Sequence, residues 1–290
     1  MHPASSIIAF TTLSGIGFGL LFWLGIDATA PTGWVGFAFF ALAFMLAGCG
    51  LIASTFHLGR PERALKAFTQ WKSSWLSREA WAAVAAMGVM GIYALGLIFW
   101  GTQLTVLGWL GAVLSLVTVY TTSMIYAQLK SVPRWHHWST SALFLTLSVT
   151  GGALLSGRVT IALVLLVIAG GLQFWWWQEG DKRFGASGSN LSSATGLGNI
   201  GKVRAFEPPH TGTNYLMREM VHVVGRKHAQ KLRLIALGLM MVLPVLLLLL
   251  PFGHFWALIA VLAHLTGVAV SRWLFFAEAE HVVGLYYGKR

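Results

Sequence analysis

Eight long apolar runs constrain the fold of this chain more than any other feature of its sequence. An α-helix rises about 1.5 Å per residue, so about 20 apolar residues cross the ~30 Å hydrocarbon core of a bilayer. Only 10% of the 290 residues are charged, whereas roughly 25% are charged in an average soluble domain. We therefore predict an all-α integral membrane protein, an antiparallel bundle of eight transmembrane helices in a single membrane domain (1–290). The runs cover approximately residues 6–26, 33–56, 80–101, 104–129, 138–157, 159–178, 232–252 and 255–277.

Short junctions predict that several neighbouring helices form antiparallel hairpins. These junctions lie near 101–103, 157–158 and 252–254. The boundary between the fifth and sixth runs is the least sharp, because Gly151, Gly152 and Gly157 soften the helical pattern there.

The distribution of basic residues predicts the orientation in the membrane. Eight crossings place both termini on one side, together with segments 57–79, 130–137 and 179–231. Eighteen of the 20 lysine and arginine residues lie in or directly beside these segments or at the carboxyl terminus. The positive-inside rule then puts both termini and the large loops in the cytoplasm. The net charge of +11 is a topology signal with contact to anionic lipid, and it does not indicate nucleic-acid binding.

The segment 57–79 interrupts the apolar pattern with five basic residues, one histidine and two carboxylates. Gly59 and Pro61 should end the preceding helix. The residues that then share one helical face are apolar: Ala64, Leu65, Phe68 and Trp71. We predict a short amphipathic helix lying at the membrane interface, with Arg63 and Arg78 as anchors for lipid headgroups.

The segment 179–231 is the longest polar stretch. It starts rich in glycine and serine, and Asn214 predicts a capped helix that runs past Arg226 toward the seventh run. A loop of about 50 residues without its own core is either disordered or ordered by a partner. We interpret it as a cytoplasmic docking loop for partner subunits.

Two ionisable residues at the edges of segment 57–79 have a structural and a functional interpretation. His57 is either an interfacial histidine at a helix C-terminus or a hydrogen-bond partner that exchanges a proton with a quinone carbonyl. Glu79 follows the possible cap Ser77; it either complements a helix N-terminus or belongs to a proton path beside the quinone. Tyr126 ends the fourth run on the same side, where it could line such a pocket.

Metal centres held by this chain alone are not indicated. The single cysteine, Cys49, excludes disulfides within the chain, an iron–sulfur cluster and a thiolate zinc site. A membrane b-haem usually needs two facing histidines, but only His264 lies deep in an apolar run. We therefore predict no haem and interpret His264 as an interior histidine with its hydrogen bonds satisfied.

The segment around His57 and Glu79 also carries a family resemblance. The pattern extends to Val132-Pro133, to Gly151-Gly152 and to the last run with Arg272, so it covers essentially the whole chain. The residues that carry the resemblance are Ile52-Ala53-Ser54, His57-Leu58-Gly59, Pro61, Arg63-Ala64, Ser74, Leu76-Ser77 and Glu79. This pattern resembles the membrane-anchor subunits of dimethyl-sulfoxide-reductase-type molybdoenzymes, the DmsC family.

The resemblance implies a haem-free, eight-helix anchor in the bacterial cytoplasmic membrane. Such an anchor holds an iron–sulfur subunit and a molybdopterin subunit and exchanges electrons with ubiquinone or menaquinone. The family's quinone-site histidine and glutamate match His57 and Glu79. We expect the pocket also to include Gly59, Arg63, Ser77 and Tyr126.

The long loop refines this resemblance. Its stretches Glu207–Asn214 and Arg226–Ala229 resemble anchors of cytoplasmic sulfite dehydrogenases, which implies sulfite oxidation with quinone reduction. One alternative is the anchor of a reductase for dimethyl sulfoxide or tetrathionate that oxidises quinol. A transporter is another, although only the seventh run, with Pro244 and Pro251, is interrupted. A haem-bearing electron carrier is the third.

Overall fold

Eight helices of the computed structural model are long and apolar enough to cross a membrane. The structure describes residues 1–207, 210, 212–221, 224–251 and 253–288, and these contain no β-strand. The all-α fold with eight spans is therefore confirmed. In chain order, the first to eighth spans are Ser5–Ile26, Gly33–Thr55, Trp75–Trp100, Thr105–Ala127, Trp138–Leu155, Val159–Ala186, Arg226–Leu248 and His254–Ala277.

Some residues used in the sequence arguments lie outside the described residues. Three of them belong to the loop stretch that resembles sulfite dehydrogenase anchors, one to the last hairpin junction and two to the count of basic residues. They are Pro208, Pro209, Thr211, Phe252, Lys289 and Arg290.

The first span is the centre of the bundle and packs against the second, fourth, fifth and eighth spans. Glycines allow the backbones to approach closely. A Cβ added at Gly152 would collide with the carbonyl oxygen of Gly19, and one at Gly17 would collide with the amide nitrogen of Ala47. Gly152 thus lies at the contact between the first and fifth spans, and it does not interrupt the fifth helix. The turn that follows uses Gly157, whose φ is +71°.

Contacts between loops show which segments share an end of the bundle. One end of the bundle carries segments 130–137 and 179–231 and the residues after the eighth span, and we call it the basic face. There the Val282 amide donates to the Ser131 carbonyl (3.0 Å), and the Tyr286 hydroxyl donates to the Ala194 carbonyl (2.6 Å). At the opposite face, Asp27 receives the Arg158 guanidinium at 2.6 Å. The amide of Gln103 also reaches this site, donating to the Asp27 carbonyl at 2.7 Å.

Span boundaries differ most from the apolar runs at the third, sixth and seventh spans, and the seventh covers Arg226–Leu248 rather than 232–252. The third span begins at Trp75 rather than near residue 80, so Ser77 is a buried residue inside the helix and not its cap. The sixth span continues to Ala186 rather than ending at 178. It continues because Asp181 pairs with arginines and Phe184 is buried, so polar residues there do not need solvent.

The two polar segments also differ from the prediction. Residues Pro61–Phe68 form a 3₁₀-helix rather than an α-helix. It ends before Trp71, which the predicted amphipathic helix included. The helix capped by Asn214 covers only Tyr215–Glu219, so the predicted continuous helix past Arg226 is wrong. It ends where Val221 enters the protein interior at 6% exposure.

The seventh span contains a π-helical turn over Gly238–Val242, just before Pro244. Proline lacks an amide proton, which is a common cause of such irregular turns. His264 of the eighth span contacts this turn, with Nδ1 2.7 Å from the Met240 carbonyl. Its Nε2 has no hydrogen-bond partner among the described residues, so the histidine is satisfied at one nitrogen only.

Candidate functional site

A cavity of about 530 Å³ lies at the basic face, within the usual size range of small-molecule sites. It contains three of the six residues that we expected to form a site, namely His57, Glu79 and Tyr126. Gly59, Arg63 and Ser77 are not among its lining residues. Most of the lining is apolar: Ile7, Phe10, Leu51, Leu58, Ala64, Leu65, Ala67, Phe68, Leu76, Ala80, Ala83, Val84, Met87, Ile125, Leu129, Trp135, Met220 and Phe276.

Glu79 is the buried polar group of this cavity. It sits in the second turn of the third span at 3% exposure, and none of the ion pairs among the described residues includes it. Its Oε1 accepts a hydrogen bond from the Thr122 hydroxyl of the fourth span. A buried carboxylate without a cation is costly, so the hydroxyl is its main local stabilisation.

The Thr122 hydroxyl can serve either protonation state of Glu79. A hydroxyl has one proton to donate, yet Thr122 Oγ1 contacts both Glu79 and the Thr118 carbonyl, the latter at 2.9 Å. When Thr122 donates to Thr118, a protonated Glu79 can donate to Thr122. When Glu79 is ionised, Thr122 can donate to it. The same geometry therefore suits a carboxyl that gains and loses a proton.

His57 occupies the outer part of the cavity. The second span ends at Thr55, and the His57 amide donates to the Ser54 carbonyl at 3.2 Å, which closes the last turn. The imidazole is exposed while also lining the cavity. It can therefore contact both solvent and a bound molecule.

Tyr126 belongs to a packed aromatic wall. Its ring centroid lies 5.3 Å from that of Trp135 and 5.4 Å from that of Phe275, and Trp135 Nε1 donates to the Phe275 carbonyl at 2.9 Å. Trp135 stacks on Phe275 at 5.0 Å. Rings held by several neighbours in this way make a rigid wall for a planar ligand.

Sequence reasoning missed part of the cavity wall. His2, Tyr215 and Glu219 line it, and the His2 amide donates to the Glu219 carbonyl at 2.8 Å. Tyr215 and Glu219 are four residues apart, a spacing that places them on one face of a helix. The sequence contains that spacing, but the spacing does not show which part of the protein this helical face contacts. The segment expected to dock partners thus also encloses the cavity.

A second group of charges at the basic face forms ion pairs. Arg134 lies 2.5 Å from Asp181 and 3.6 Å from Glu278, while Arg233 lies 2.7 Å from each of these two carboxylates. Burial raises the pKa of Glu278 even beside the two guanidinium groups. This ion-pair cluster joins the loop after the fourth span to the sixth, seventh and eighth spans. Its arginines are therefore structural.

The described residues offer no group of three or more His, Cys, Asp or Glu side chains that could hold a metal ion. The groups that could contact an organic cofactor are those of the cavity: His57 and Glu79 as polar partners and the aromatic wall beside Tyr126. The cavity suits a largely apolar molecule with a few polar atoms.

Comparison with known proteins places these features in a family. Residues 1–169, which include His57, Glu79 and Tyr126, match the family model described as "DMSO reductase anchor subunit (DmsC)". The chain is 31% identical to a sulfite dehydrogenase subunit of Allochromatium vinosum over 327 aligned residues, covering 99% of both chains. It is 35% identical to the anaerobic dimethyl sulfoxide reductase chain YnfH of Escherichia coli K12 over 127 residues, or 42% of each chain. The chain is a multi-pass membrane protein, and it belongs to the DmsC family of DMSO reductase anchor subunits.

Proposed function

We propose that this chain is the quinone-binding anchor of a three-subunit molybdopterin oxidoreductase and that its cavity binds the quinone. The observation that carries the proposal is that one apolar cavity of about 530 Å³ contains both an exposed histidine, His57, and a buried carboxyl, Glu79. An isoprenoid quinone is apolar apart from two carbonyls. It therefore needs an apolar site with few polar partners.

The bound quinone supplies two-electron redox chemistry, and this chain supplies binding and protons. Reduction of a quinone to a quinol takes up two electrons and two protons. The electrons come from iron–sulfur clusters of the partner subunit. His57 and Glu79 exchange the protons, His57 from the solvent side and Glu79 from the interior. The aromatic wall at Tyr126 orients the ring.

We propose sulfite oxidation to sulfate, with quinone reduction, as the reaction of the complex. The match to the sulfite dehydrogenase protein spans 99% of both chains, whereas the match to the dimethyl sulfoxide reductase chain spans 42%. The second candidate, favoured by that shorter match, is a dimethyl sulfoxide or tetrathionate reductase that oxidises quinol. Measuring which substrate supports quinone-linked turnover distinguishes the two.

The partner subunits dock on the basic face in this proposal. Segment 57–79 contributes five basic residues and segment 179–231 contributes eight. Both segments also line the cavity, so a cluster docked over them would be close to the quinone. The positive-inside rule makes this face cytoplasmic in the bacterial inner membrane.

The test is a comparison of two electron acceptors in membranes that contain the whole complex. His57→Ala should lower quinone-linked sulfite oxidation at least tenfold, because the variant loses a group that transfers protons. Activity with a soluble artificial acceptor should persist, since that route bypasses this subunit.

His254→Ala is the matched control, because His254 is an exposed histidine at the start of the eighth span on the opposite face. It should keep both activities. Full quinone-linked turnover in His57→Ala would overturn the assignment of the site.

A further inference from the structure

Arg272 is a buried arginine within the eighth span. It belongs neither to the lining of the large cavity nor to the ion-pair cluster. It is 2% exposed, and none of the ion pairs among the described residues includes it. Its Nε has no hydrogen-bond partner in this part of the chain. The guanidinium carbon lies 3.6 Å from the centre of the Phe144 ring, which offsets part of the desolvation. A charge at such a depth is expected to have a specific partner.

A small chamber whose lining includes several hydroxyl side chains lies beside this arginine. Its volume is about 10 Å³, which is about the space that one water molecule needs. The hydroxyl of Thr12, which lines it, is buried without a hydrogen-bond partner among the described residues. Ser14 and Ser148 already donate to carbonyls, at 2.6 and 2.5 Å, so their oxygens can accept from a water.

Thr122 joins the small chamber to the large cavity. Its side chain lines the small chamber, and its hydroxyl is bonded to Glu79, which lines the large cavity. The carboxyl and the guanidinium therefore stand on either side of one threonine and one water-sized chamber.

We propose that the chamber binds one water linking Arg272 to Thr122, and that Arg272 is thereby a positioning residue that stabilises ionised Glu79. The inference rests on the proposed function only in taking Glu79 as the group that gives up a proton. When the carboxyl is ionised, Arg272 donates to the water, the water donates to Thr122, and Thr122 donates to Glu79. When Glu79 is reprotonated from solvent at the basic face, it donates to Thr122 again. Glu79 thereby regains the proton that it lost, the hydrogen-bond directions reverse, and no electron moves.

Other titratable groups face Glu79 across the large cavity, and the test must separate them from Arg272. Unlike them, Arg272 lines the small chamber and not the large cavity. Removing it leaves the large cavity's own lining in place. The groups on the large-cavity side are His2, His57, Tyr126, Tyr215, Glu219 and the amino group of Met1.

The experiment is an infrared pH titration of the carboxyl C=O stretch in the solubilised complex. Glu79→Gln identifies the band by removing it. In Arg272→Gln, the pH at which the band disappears should rise by about one unit, because a nearby positive charge favours the ionised form. Thr122→Val should shift it in the same direction. The double variant should shift it little further, since both substitutions break the same link.

Two further variants protect the test from folding defects. Arg272→Lys keeps the positive charge and should shift the titration less than Arg272→Gln. Arg158→Gln removes an arginine on the opposite face and should leave the titration unchanged. An unshifted band in a folded Arg272→Gln complex would overturn the inference. So would a spectrum that Glu79→Gln does not alter, because the inference needs a Glu79 that titrates.

The titration uses no quinone, so failure of the Arg272 link can be distinguished from failure of the quinone site. Quinone-linked turnover that survives Glu79→Gln, together with a shifted band in Arg272→Gln, would overturn the quinone site and leave the Arg272 link intact. Lost turnover in Glu79→Gln, together with an unshifted band in Arg272→Gln, would support the quinone site and overturn the Arg272 link.

Discussion

Buried charges in the ion-pair cluster have partners of opposite charge, whereas Glu79 and Arg272 belong to no ion pair among the described residues. In the cluster, Arg233 contacts two carboxylates at 2.7 Å each. In the other region, the Thr122 hydroxyl is the one hydrogen-bond partner of Glu79 among the described residues, and Arg272 has an aromatic ring and a water-sized chamber. Paired charges hold elements together, because each charge is stabilised by its partner. A carboxyl left with only a hydroxyl is less stabilising and is free to change its protonation state.

Glu79→Gln should produce the largest effect and would sharpen this comparison most. The amide keeps the size of the side chain but cannot release a proton. We expect quinone-linked turnover to fall by about 100-fold or more, the scale of a lost general acid–base group. The melting temperature of the purified complex should not fall, since no ion pair is broken.

The matched control for Glu79→Gln is Glu62→Gln, on the exposed 3₁₀-helix and outside the cavity lining. It should leave turnover unchanged. If Glu79→Gln lowers stability and preserves turnover, the contrast between the two regions is wrong.

Arg233→Ala should show the opposite pattern. It removes the contacts to Asp181 and Glu278, leaving Glu278 buried at 5% exposure with one fewer partner. Breaking a buried pair from one side costs about 3 kcal/mol of unfolding free energy. Denaturant titration of the solubilised protein measures it. Quinone-linked turnover per folded molecule should stay the same.

Lys182→Ala is its control, because the Lys182–Glu179 pair is exposed at 2.8 Å and surface pairs contribute little. It should leave the denaturation midpoint unchanged. An equal loss of unfolding free energy in both variants would show that the buried ion pairs of the cluster contribute no more than an exposed pair.

The exposed basic residues of segment 57–79 should give the smallest effect. Arg63 and Lys66 are exposed on the 3₁₀-helix. Charge reversal at either should weaken retention of the partner subunits by about two- to fivefold, the scale of one exposed ion pair. The effect should diminish as salt is added, because exposed charges are screened.

Co-purification of the partner subunits at low and high salt measures this effect. Arg158→Glu on the opposite face is the control and should not change retention of folded complexes. Partner loss that is independent of salt would contradict docking through exposed charge.

The spans could be predicted because hydropathy is local, whereas their ends depend on contacts distant in sequence. The sixth span passes residue 178 because Asp181 finds Arg134 and Arg233 on other elements. Glu79 and His57 stood out as ionisable residues beside apolar runs. Thr122 did not, because a threonine inside an apolar run has no distinctive pattern. Its importance comes from facing Glu79 across 43 residues of chain.

The close approach of the first span to the fifth also fixes an order of assembly. Ser148 donates to the carbonyl of Gly15, 133 residues earlier in the chain. At about 5–20 residues per second, synthesis of the intervening chain takes roughly 7–27 s. During that interval the side of the first span that packs on the fifth, which includes Gly19, lacks its final neighbour, whereas Gly17 can already pack on Ala47 of the second span. The first span therefore completes its contacts with the fifth only after the fifth has been synthesised, although it can pack on the second span much sooner.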